Sequence, residues 1–349
     1  MKRLKIALVG AGTWGQSHAN IYAEYAQVEI AAICDTNIER ALKLAEKHNI
    51  KHTNVFTDYK DMLQKVDCSA VSIVTPDFLH KDIAIACANA GKHMLIEKPL
   101  ATNEKDVFDI YHAVRKNDVR VMVDFHNRWN PPFAQMKSNI AAGKCGDPYS
   151  AYIRLNDIRW VATDLLPWAA QSSILWFLGS HSLDTLRWLF NDEVKKIYSV
   201  ARSGILKKAG VDTVDIYQTI LEFRNGCIAT MENGWITPNS NPNVNDFKCS
   251  LTCTEGIFNL DLSNHNLMQY IGEDGVKVPD ILVNNFVHGR AMGFAYQSIR
   301  HFVDCLLNDQ PFYVSLEDAA NVSLTILKIF ESVQKGAPVE VLLPDWTSL

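Results

Sequence analysis

The first 125 residues alternate short apolar runs with longer segments whose apolar positions recur at helical spacing. The short runs lack a polar face, which is typical of parallel strands covered by helices on both sides. Strands are predicted at 5–9, 28–34, 70–75, 93–96 and 120–125. Helices are predicted at 14–26, 37–48, 59–65, 80–90 and 104–116. This β-α alternation predicts a doubly wound α/β domain over residues 1–125.

After residue 132 the pattern changes to longer segments in which apolar and polar residues alternate. Two of them, 213–223 and 227–235, are joined by a turn at 224–226 and predict an antiparallel hairpin. Helical spacing returns at 174–190, 290–307 and 315–334. Residues 126–349 are therefore predicted to form a second, α+β domain with a mostly antiparallel sheet.

Composition and charge exclude several classes of partner. The chain has 349 residues, which favours two domains, and its net charge of −5 is small. It has no run of lysine and arginine that could follow a nucleic-acid backbone or an anionic membrane. The apolar run that follows the basic N-terminus stops after Val9 at a glycine, so it predicts a strand rather than a signal peptide. We expect a soluble, cytoplasmic protein with neither a nucleic-acid nor a membrane partner.

The eight cysteines lie mostly in apolar stretches, so buried free thiols are expected. Cys249 and Cys253 form the one close pair, and four residues along a strand separate them too far for a simple disulfide. No further histidine or cysteine stands at the spacing of a zinc site. We therefore expect no bound metal.

A glycine-rich turn at residues 10–15, with the pattern GxGxxG, follows the first predicted strand and opens the first predicted helix. In that context the pattern indicates a Rossmann dinucleotide site. Gly10 permits the tight turn, Gly12 lets a pyrophosphate approach the backbone, and Gly15 permits close packing of helix on sheet. The predicted cofactor contacts in the turn are Gly10, Gly12, Thr13, Trp14 and Gly15.

Asp35 ends the second predicted strand, twenty residues after Gly15. A carboxylate at this position accepts hydrogen bonds from the adenosine ribose and repels a 2′-phosphate, so NAD is predicted rather than NADP. Arg40 lies one helical turn later and could reach a phosphate, but a solvated surface charge is the simpler interpretation.

Two motifs stand at the ends of neighbouring predicted strands: a Thr-Pro-x-x-x-His motif at 75–80 and Glu-Lys-Pro at 97–99. With Gly-Ser-His at 179–181, they resemble the Gfo/Idh/MocA family of glucose-fructose oxidoreductases and inositol dehydrogenases, over nearly the whole chain. The resemblance implies a residue set that lines the nicotinamide half of the cofactor groove: Thr75, Pro76, His80, Glu97 and Lys98. Asn127, just after the last predicted strand, is added to the predicted cofactor residues.

Lys98 and His181 are the predicted catalytic residues. Lys98 stands at a strand end, where an ammonium can donate to a substrate oxygen, stabilise an alkoxide or exchange a proton. A histidine such as His181 can exchange protons near neutral pH, and the resemblance assigns it that role. The family often has an aspartate four residues before this histidine, but here the residue is Phe177. Possible substitutes are Asp157, Asp164 and Asp184, and the sequence does not choose among them.

Tryptophans and arginines outside these motifs are the predicted substrate contacts. Indole faces beside hydrogen-bonding groups suit sugar rings, and an arginine suits a carboxylate. With Lys98 and His181, the predicted substrate-binding set is Arg128, Arg159, Trp160, Trp168 and Trp235. A sugar or polyol substrate is expected, and a sugar acid stays open.

The predicted activity is NAD-dependent oxidation of a secondary hydroxyl, or reduction of the ketone. A sugar lyase or glycosidase that recycles NAD internally stays open as a second hypothesis. A dinucleotide-sensing regulator that binds a protein partner is the third, because the usual catalytic aspartate is missing. By analogy with the family, a homodimer or homotetramer is expected.

Overall fold

The structure is a computed structural model that describes residues 3–263, 267–273, 275–279 and 281–348. The chain divides into two compact units. The first unit comprises Met1–His126 and Val283–Ala320, and the second comprises Asn127–Leu282 and Asn321–Leu349. Residues 283–320 thus join the first unit, which their sequence does not predict. The division into domains at residues 125 and 126 stays a prediction.

The N-terminal part of the first unit is a parallel sheet of six strands, in the order β3-β2-β1-β4-β5-β6. Its strands are β1 (Leu4–Val9), β2 (Val28–Cys34), β3 (Val55–Phe56), β4 (Ala70–Ile73), β5 (His93–Ile96) and β6 (Val121–Val123). Its helices are α1 (Thr13–Ala23), α2 (Ile38–Lys47), α3 (Tyr59–Lys65), α4 (His80–Asn89) and α5 (Glu104–Lys116). The predicted doubly wound α/β fold is confirmed.

Local sequence explains where these elements form. Consecutive residues of β1, from Ile6 to Leu8, are completely buried, as expected for a strand with apolar neighbours on both faces. Polar side chains that accept the free N–H groups of the first turn begin three of the helices. These capping residues are Asn37, Asp58 and Asn103. β3 is only two residues long and was not predicted, because periodicity needs a longer segment.

The second unit is built on a seven-stranded sheet in the order β12-β11-β7-β10-β9-β8-β17, in which β17 is Val339–Glu340 from the end of the chain. Its elements up to residue 282 are α6 (Pro131–Ala141), β7 (Pro148–Ile158), α7 (Ser180–Phe190), β8 (Val194–Arg202), α8 (Ile205–Lys208), β9 (Ile216–Phe223), β10 (Ile228–Thr237), β11 (Asn245–Cys253), β12 (Ile257–Asp261), β13 (Tyr270–Gly272) and β14 (Gly275–Lys277). All the neighbours in the seven-stranded sheet are antiparallel except β7 and β10. The predicted α+β character is confirmed.

The last part of the described chain forms β15 (Asn285–Val287), β16 (Arg290–Met292), α9 (Phe294–Leu307), α10 (Leu316–Lys335) and β17 (Val339–Glu340). The predicted helix at 290–307 begins later than expected, because 290–292 pairs with 285–287 as a hairpin. Within the first unit, Arg300 on α9 donates to Glu24 after α1 at 2.6 Å, which ties the returning segment to the Rossmann part. No helix in the described ranges is long and apolar enough to cross a membrane.

Candidate active site

The turn between β1 and α1 has the shape that a dinucleotide phosphate needs. Gly10 has a φ of 104°, which side chains rarely adopt, and a Cβ there would collide with the carbonyl of Val74. A Cβ at Gly15 would collide with the carbonyl oxygen of Gly10, whereas one at Gly12 would meet nothing within 4 Å. Gly12 therefore leaves open space at the N-terminus of α1, where backbone N–H groups attract an anion.

Asp35 is held against this turn. Its carboxylate accepts the N–H of Ala11 and the N–H of Asn37, each at 2.8 Å. Arg40, expected as a free surface charge, instead places a guanidinium nitrogen 3.5 Å from the same carboxylate. The side chain of Arg40 is 52% exposed, so this contact is weak and reversible.

His80 links the two loops that follow β4 and β5. Its Nδ1 lies 2.7 Å from the carbonyl oxygen of Pro99 and its Nε2 lies 3.0 Å from that of Thr75. Burial lowers the pKa of His80 although both carbonyls oppose that change, so the neutral ring donates to one carbonyl at a time. The ring is completely buried, so His80 holds the loops of Thr75 and Lys98 in place through its own nitrogens.

Glu97 and Lys98 follow β5 directly, and the peptide bond between Lys98 and Pro99 is cis. The carboxyl of Glu97 turns inward: burial raises its pKa to about 7, and the charge of Lys98 opposes the rise. Lys98 is only half-buried. The strand end thus carries a half-buried lysine next to a buried carboxyl.

Two functional candidates were missed in the sequence. His18 on α1 places Nε2 3.0 Å from Oε1 of Glu97, and Asp124 after β6 lies in the same cluster. Both are completely buried. A signal was present, since His18 stands three residues after Gly15 and Asp124 lies at the end of the strand predicted at 120–125, but their association with Glu97 depends on the tertiary fold.

In the second unit, His181 lies at the start of α7 and is 4% exposed. One turn later, Asp184 accepts two hydrogen bonds from Arg128, from Nε at 3.0 Å and from Nη2 at 2.7 Å. The guanidinium of Arg128 is thereby committed to a buried carboxylate, which corrects its prediction as a substrate contact. Asp184 is completely buried and cannot serve as the missing catalytic carboxylate.

Phe177 packs in an aromatic cluster within the second unit. Its ring centroid is 6.1 Å from that of Trp168 and 6.4 Å from that of Trp235. Trp235 is completely buried, and its indole N–H donates to the carbonyl of Val214 at 2.8 Å. Trp235 is therefore a core residue, which corrects its prediction as a substrate contact. Trp168 is half-buried at the edge of the cluster.

The remaining predicted residues of the second unit differ in exposure. Arg159 is exposed, as is Trp160 with 41% of its surface accessible. Asn127 is 3% exposed. Of the other two candidate carboxylates, Asp157 is buried and Asp164 is exposed. Lys98 and His181 belong to different units, so their joint action stays a prediction.

Comparison with known proteins establishes the family. A family model for an oxidoreductase family with an NAD-binding Rossmann fold matches residues 4–125, and the model of the GFO/IDH/MocA C-terminal domain matches residues 133–259. The chain belongs to the GFO/IDH/MocA oxidoreductase family. The predicted family and fold class are confirmed, and so are an oxidoreductase and NAD as its cofactor, at the level of the family.

Three similar proteins are inositol dehydrogenases by name. The inositol 2-dehydrogenase of Salmonella typhimurium is 30% identical over 58% of this chain, an alignment that spans only 60% of that protein. Inositol 2-dehydrogenase 1 of Saccharopolyspora erythraea is 24% identical over 99% of this chain and 98% of its own length. The structure of scyllo-inositol dehydrogenase from Lactobacillus casei, with bound NAD(H) and scyllo-inositol, matches with a TM-score of 0.82 at 20% identity and covers 97% of this chain and 99% of that one.

Proposed function

We propose that this chain is an NAD(H)-dependent dehydrogenase that oxidises a secondary hydroxyl of a sugar, a sugar acid or a polyol such as an inositol. The observation that carries the proposal is the position of Lys98. Lys98 lies just after β5, the turn of Gly10 and Gly12 lies just after β1, and both strands belong to the same parallel sheet. Ligands of open α/β sheets bind outside the carboxyl ends of the strands, where both features lie.

The described residues fit NAD. The turn is open at Gly12, and Asp35 has a carboxylate that already accepts two backbone N–H groups and has further lone pairs for ribose hydroxyls. When bound, NAD supplies the hydride acceptor. The residues proposed to hold it are Gly10, Gly12, Thr13, Trp14, Gly15, Asp35, Thr75, Pro76, Glu97, Lys98 and Asn127, with His80 supporting the loops.

Lys98 and His181 are the residues proposed to stabilise the charge on the reacting oxygen and to transfer the hydroxyl proton. Lys98 donates a hydrogen bond to the reacting substrate oxygen and stabilises the negative charge that develops there. His181 accepts the hydroxyl proton, a role that suits an imidazole near neutral pH. Ketone reduction uses the same groups in reverse.

The substrate class is proposed from the relatives and from the exposed side chains. The relatives named above act on inositols according to their names. Within the second unit, Trp160 and Arg159 are exposed neighbours that offer an indole face and a guanidinium. These groups suit the C–H face and the hydroxyl or carboxylate edge of a sugar derivative.

The test is the absorbance of NADH after purified protein and NAD are mixed with a panel of inositols, aldoses and sugar acids. Growth of NADH with at least one compound supports the proposal. NAD binding without NADH from any compound counts against it.

Phe177 favours a second candidate, a dinucleotide-sensing regulator, because a phenylalanine in an aromatic cluster replaces the usual carboxylate. A sugar lyase or glycosidase that recycles NAD also avoids net NADH. Chemical analysis of the sugar after incubation separates the two: the lyase changes the sugar without NADH, whereas the regulator leaves it intact.

A homodimer or homotetramer is proposed from the open face of the second unit's sheet. Tyr198 on β8 pairs with Ile220 on β9, and both point outward, with 39% and 50% of their surface exposed. Ile228 on β10 is also 50% exposed. Apolar side chains clustered on one open face are typical of a protein interface. Light scattering should give a multiple of 39.3 kDa, and a monomer mass would contradict the proposal.

A further inference from the structure

Three titratable side chains meet inside the first unit, next to the strand end that carries Lys98. His18 lies on α1, Glu97 follows β5 and Asp124 follows β6. His18 and Asp124 are completely buried, and Glu97 is 8% exposed. One ligand atom of each lies within 4.8 Å of those of the other two. Buried ionisable groups are costly unless hydrogen bonds and shared protons compensate.

The parallel sheet brings the two carboxyls together. The N–H of Asp124 donates to the carbonyl of Ile96 at 2.9 Å, so Asp124 stands beside Glu97 at the ends of neighbouring strands. Helix α1 then places His18 against the pair, with Nε2 3.0 Å from Oε1 of Glu97. The other ring nitrogen, Nδ1, is 3.4 Å from the hydroxyl of Tyr22.

The hydrogen-bond partners fix the protonation of His18. Burial lowers the pKa of His18 to about 4, so the ring is neutral at pH 7. When Glu97 is ionised its oxygens only accept, so the ring's one N–H then sits on Nε2 and donates to Glu97. Nδ1 then accepts from one of two hydroxyls, that of Tyr22 or that of Ser72, each 3.4 Å away. This arrangement stabilises a negative charge on Glu97.

Two carboxyls this close do not ionise together at neutral pH, because the charge of one raises the pKa of the other. Burial, and then the charge of Glu97, raise the pKa of Asp124 to about 8. The interaction between the two carboxyls raises the pKa of Asp124 and lowers that of Glu97, so Asp124 holds a proton more tightly than Glu97 does. Glu97 also has the N–H of His18 and the nearby charge of Lys98. The proton therefore belongs on Asp124 and the charge on Glu97.

The other groups that face the cluster do not change this assignment. Burial raises the pKa of Tyr22 on α1, so its hydroxyl stays protonated. Burial and the charge of Lys98 lower the pKa of His126, after β6, to about 3, so its ring is neutral. β4 contributes the hydroxyl of Ser72, and α9 contributes that of Ser298.

We propose that His18, Glu97 and Asp124 form a buried network of ionisable groups that positions Lys98, with the negative charge on Glu97 and the proton on Asp124. Glu97 acts as the counter-ion of the Lys98 ammonium and limits where that ammonium can move. His18 and Asp124 are positioning residues, which act on Lys98 through Glu97. The role in turnover rests on the proposed function, since it requires Lys98 to act on substrate.

The proton on Asp124 is tested by infrared spectroscopy of the protein without substrate. At pH 7 the wild type should show the carbonyl band of a protonated carboxylic acid. Asp124→Asn should lose that band and Glu97→Gln should keep it, while the exposed control Asp61→Asn should not alter it. A wild type without the band, or a band that survives in Asp124→Asn, would overturn the assignment.

Stability against pH is the second test and also needs no substrate. The pKa of Asp124 is higher folded than unfolded, so the folded protein binds the extra proton and wild-type stability falls as pH rises toward about 8. His18 opposes this trend only below its ordinary pKa of about 6.5. Between pH 6.5 and 8, the ratio of the unfolding constants of wild type and Asp124→Asn should therefore change by up to about tenfold per pH unit. If the unfolding constants of wild type and Asp124→Asn changed equally with pH, the result would overturn the network.

Turnover is the third test, with any substrate that yields NADH. Glu97→Gln should lower kcat by about tenfold or more and alter its pH profile, with little effect on KM. His18→Asn should change the same pH profile less strongly. Unchanged profiles alongside a correct infrared result would overturn the positioning role, whereas absence of turnover in the wild type would count against the proposed function. A stoichiometric transition metal in the purified protein would also overturn the network, because it would take the place of the proton on Asp124.

Discussion

Arg128 and Asp184 form a two-pronged ion pair inside the second unit, with Nε 3.0 Å and Nη2 2.7 Å from the two carboxylate oxygens. Their side chains are 7% and 0% exposed. Removing one partner of a buried pair leaves the other charge without compensation, whereas an exposed pair contributes little. The pair fastens the segment before α6 to α7, the helix that carries His181.

Asp184→Asn should therefore lower the free energy of unfolding by about 3–5 kcal/mol. The matched control is Lys65→Ala, which breaks the exposed i,i+4 pair with Asp61 and should cost about 0.5 kcal/mol or less. Urea unfolding measures both. Equal effects from the two variants would contradict a structural role for Arg128 and Asp184.

The three glycines of the cofactor turn should respond differently to alanine. Gly15→Ala would place a Cβ against the carbonyl of Gly10 and should destabilise the first unit. Gly12→Ala has space for its Cβ, so it should fold normally and weaken NAD binding, because the methyl group occupies the approach of the pyrophosphate. Thermal unfolding and NAD titration separate the two effects. Normal NAD affinity in Gly12→Ala would contradict the proposed cofactor position.

Asp35 and Arg40 should together set cofactor choice. Asp35→Ser removes the charge that repels a 2′-phosphate and frees the guanidinium of Arg40, now 3.5 Å from the carboxylate. The ratio of NADP to NAD affinity should rise by about tenfold or more, since a hydrogen bond to a charged group contributes about 1.5–3 kcal/mol. Adding Arg40→Ala should remove most of the gain. An unchanged ratio in Asp35→Ser would contradict the role of Asp35.

Phe177→Asp should not restore the family's usual carboxylate without a cost. The substitution removes a ring that packs between Trp168 and Trp235 and places a charge in that cluster. We expect a loss of roughly 2 kcal/mol or more in stability, and a smaller loss in the control Phe177→Leu. Denaturant unfolding measures both. Equal stability of wild type and Phe177→Asp would show that the cluster is looser than its geometry indicates.

Much of the first unit could be predicted from sequence because its signals are local. An apolar run, a glycine turn and a helical pattern lie side by side around residues 5–26, and the structure has β1 and α1 there. The short pairs β13 with β14 and β15 with β16 could not be predicted, since strands of three residues carry no clear alternation. The start of α9 shifted for the same reason.

The site was harder to predict because it depends on which side chains meet. Trp235 lies in an alternating strand, and alternation does not distinguish a core position from a pocket wall. Arg128 is separated from Asp184 by 56 positions, so no local sequence pattern predicts that the two residues pair. His18, Glu97 and Asp124 likewise stand on three separate elements, and only the strand order brings them together.

The stoichiometry of NADH to ketone product, measured in wild type and in Lys98→Ala, is the decisive test of the proposed dehydrogenase. We expect one NADH per ketone formed, and a rate that falls by about 10²-fold or more in Lys98→Ala while NAD still binds. Turnover of a sugar without NADH, or an unchanged rate in Lys98→Ala, would contradict it.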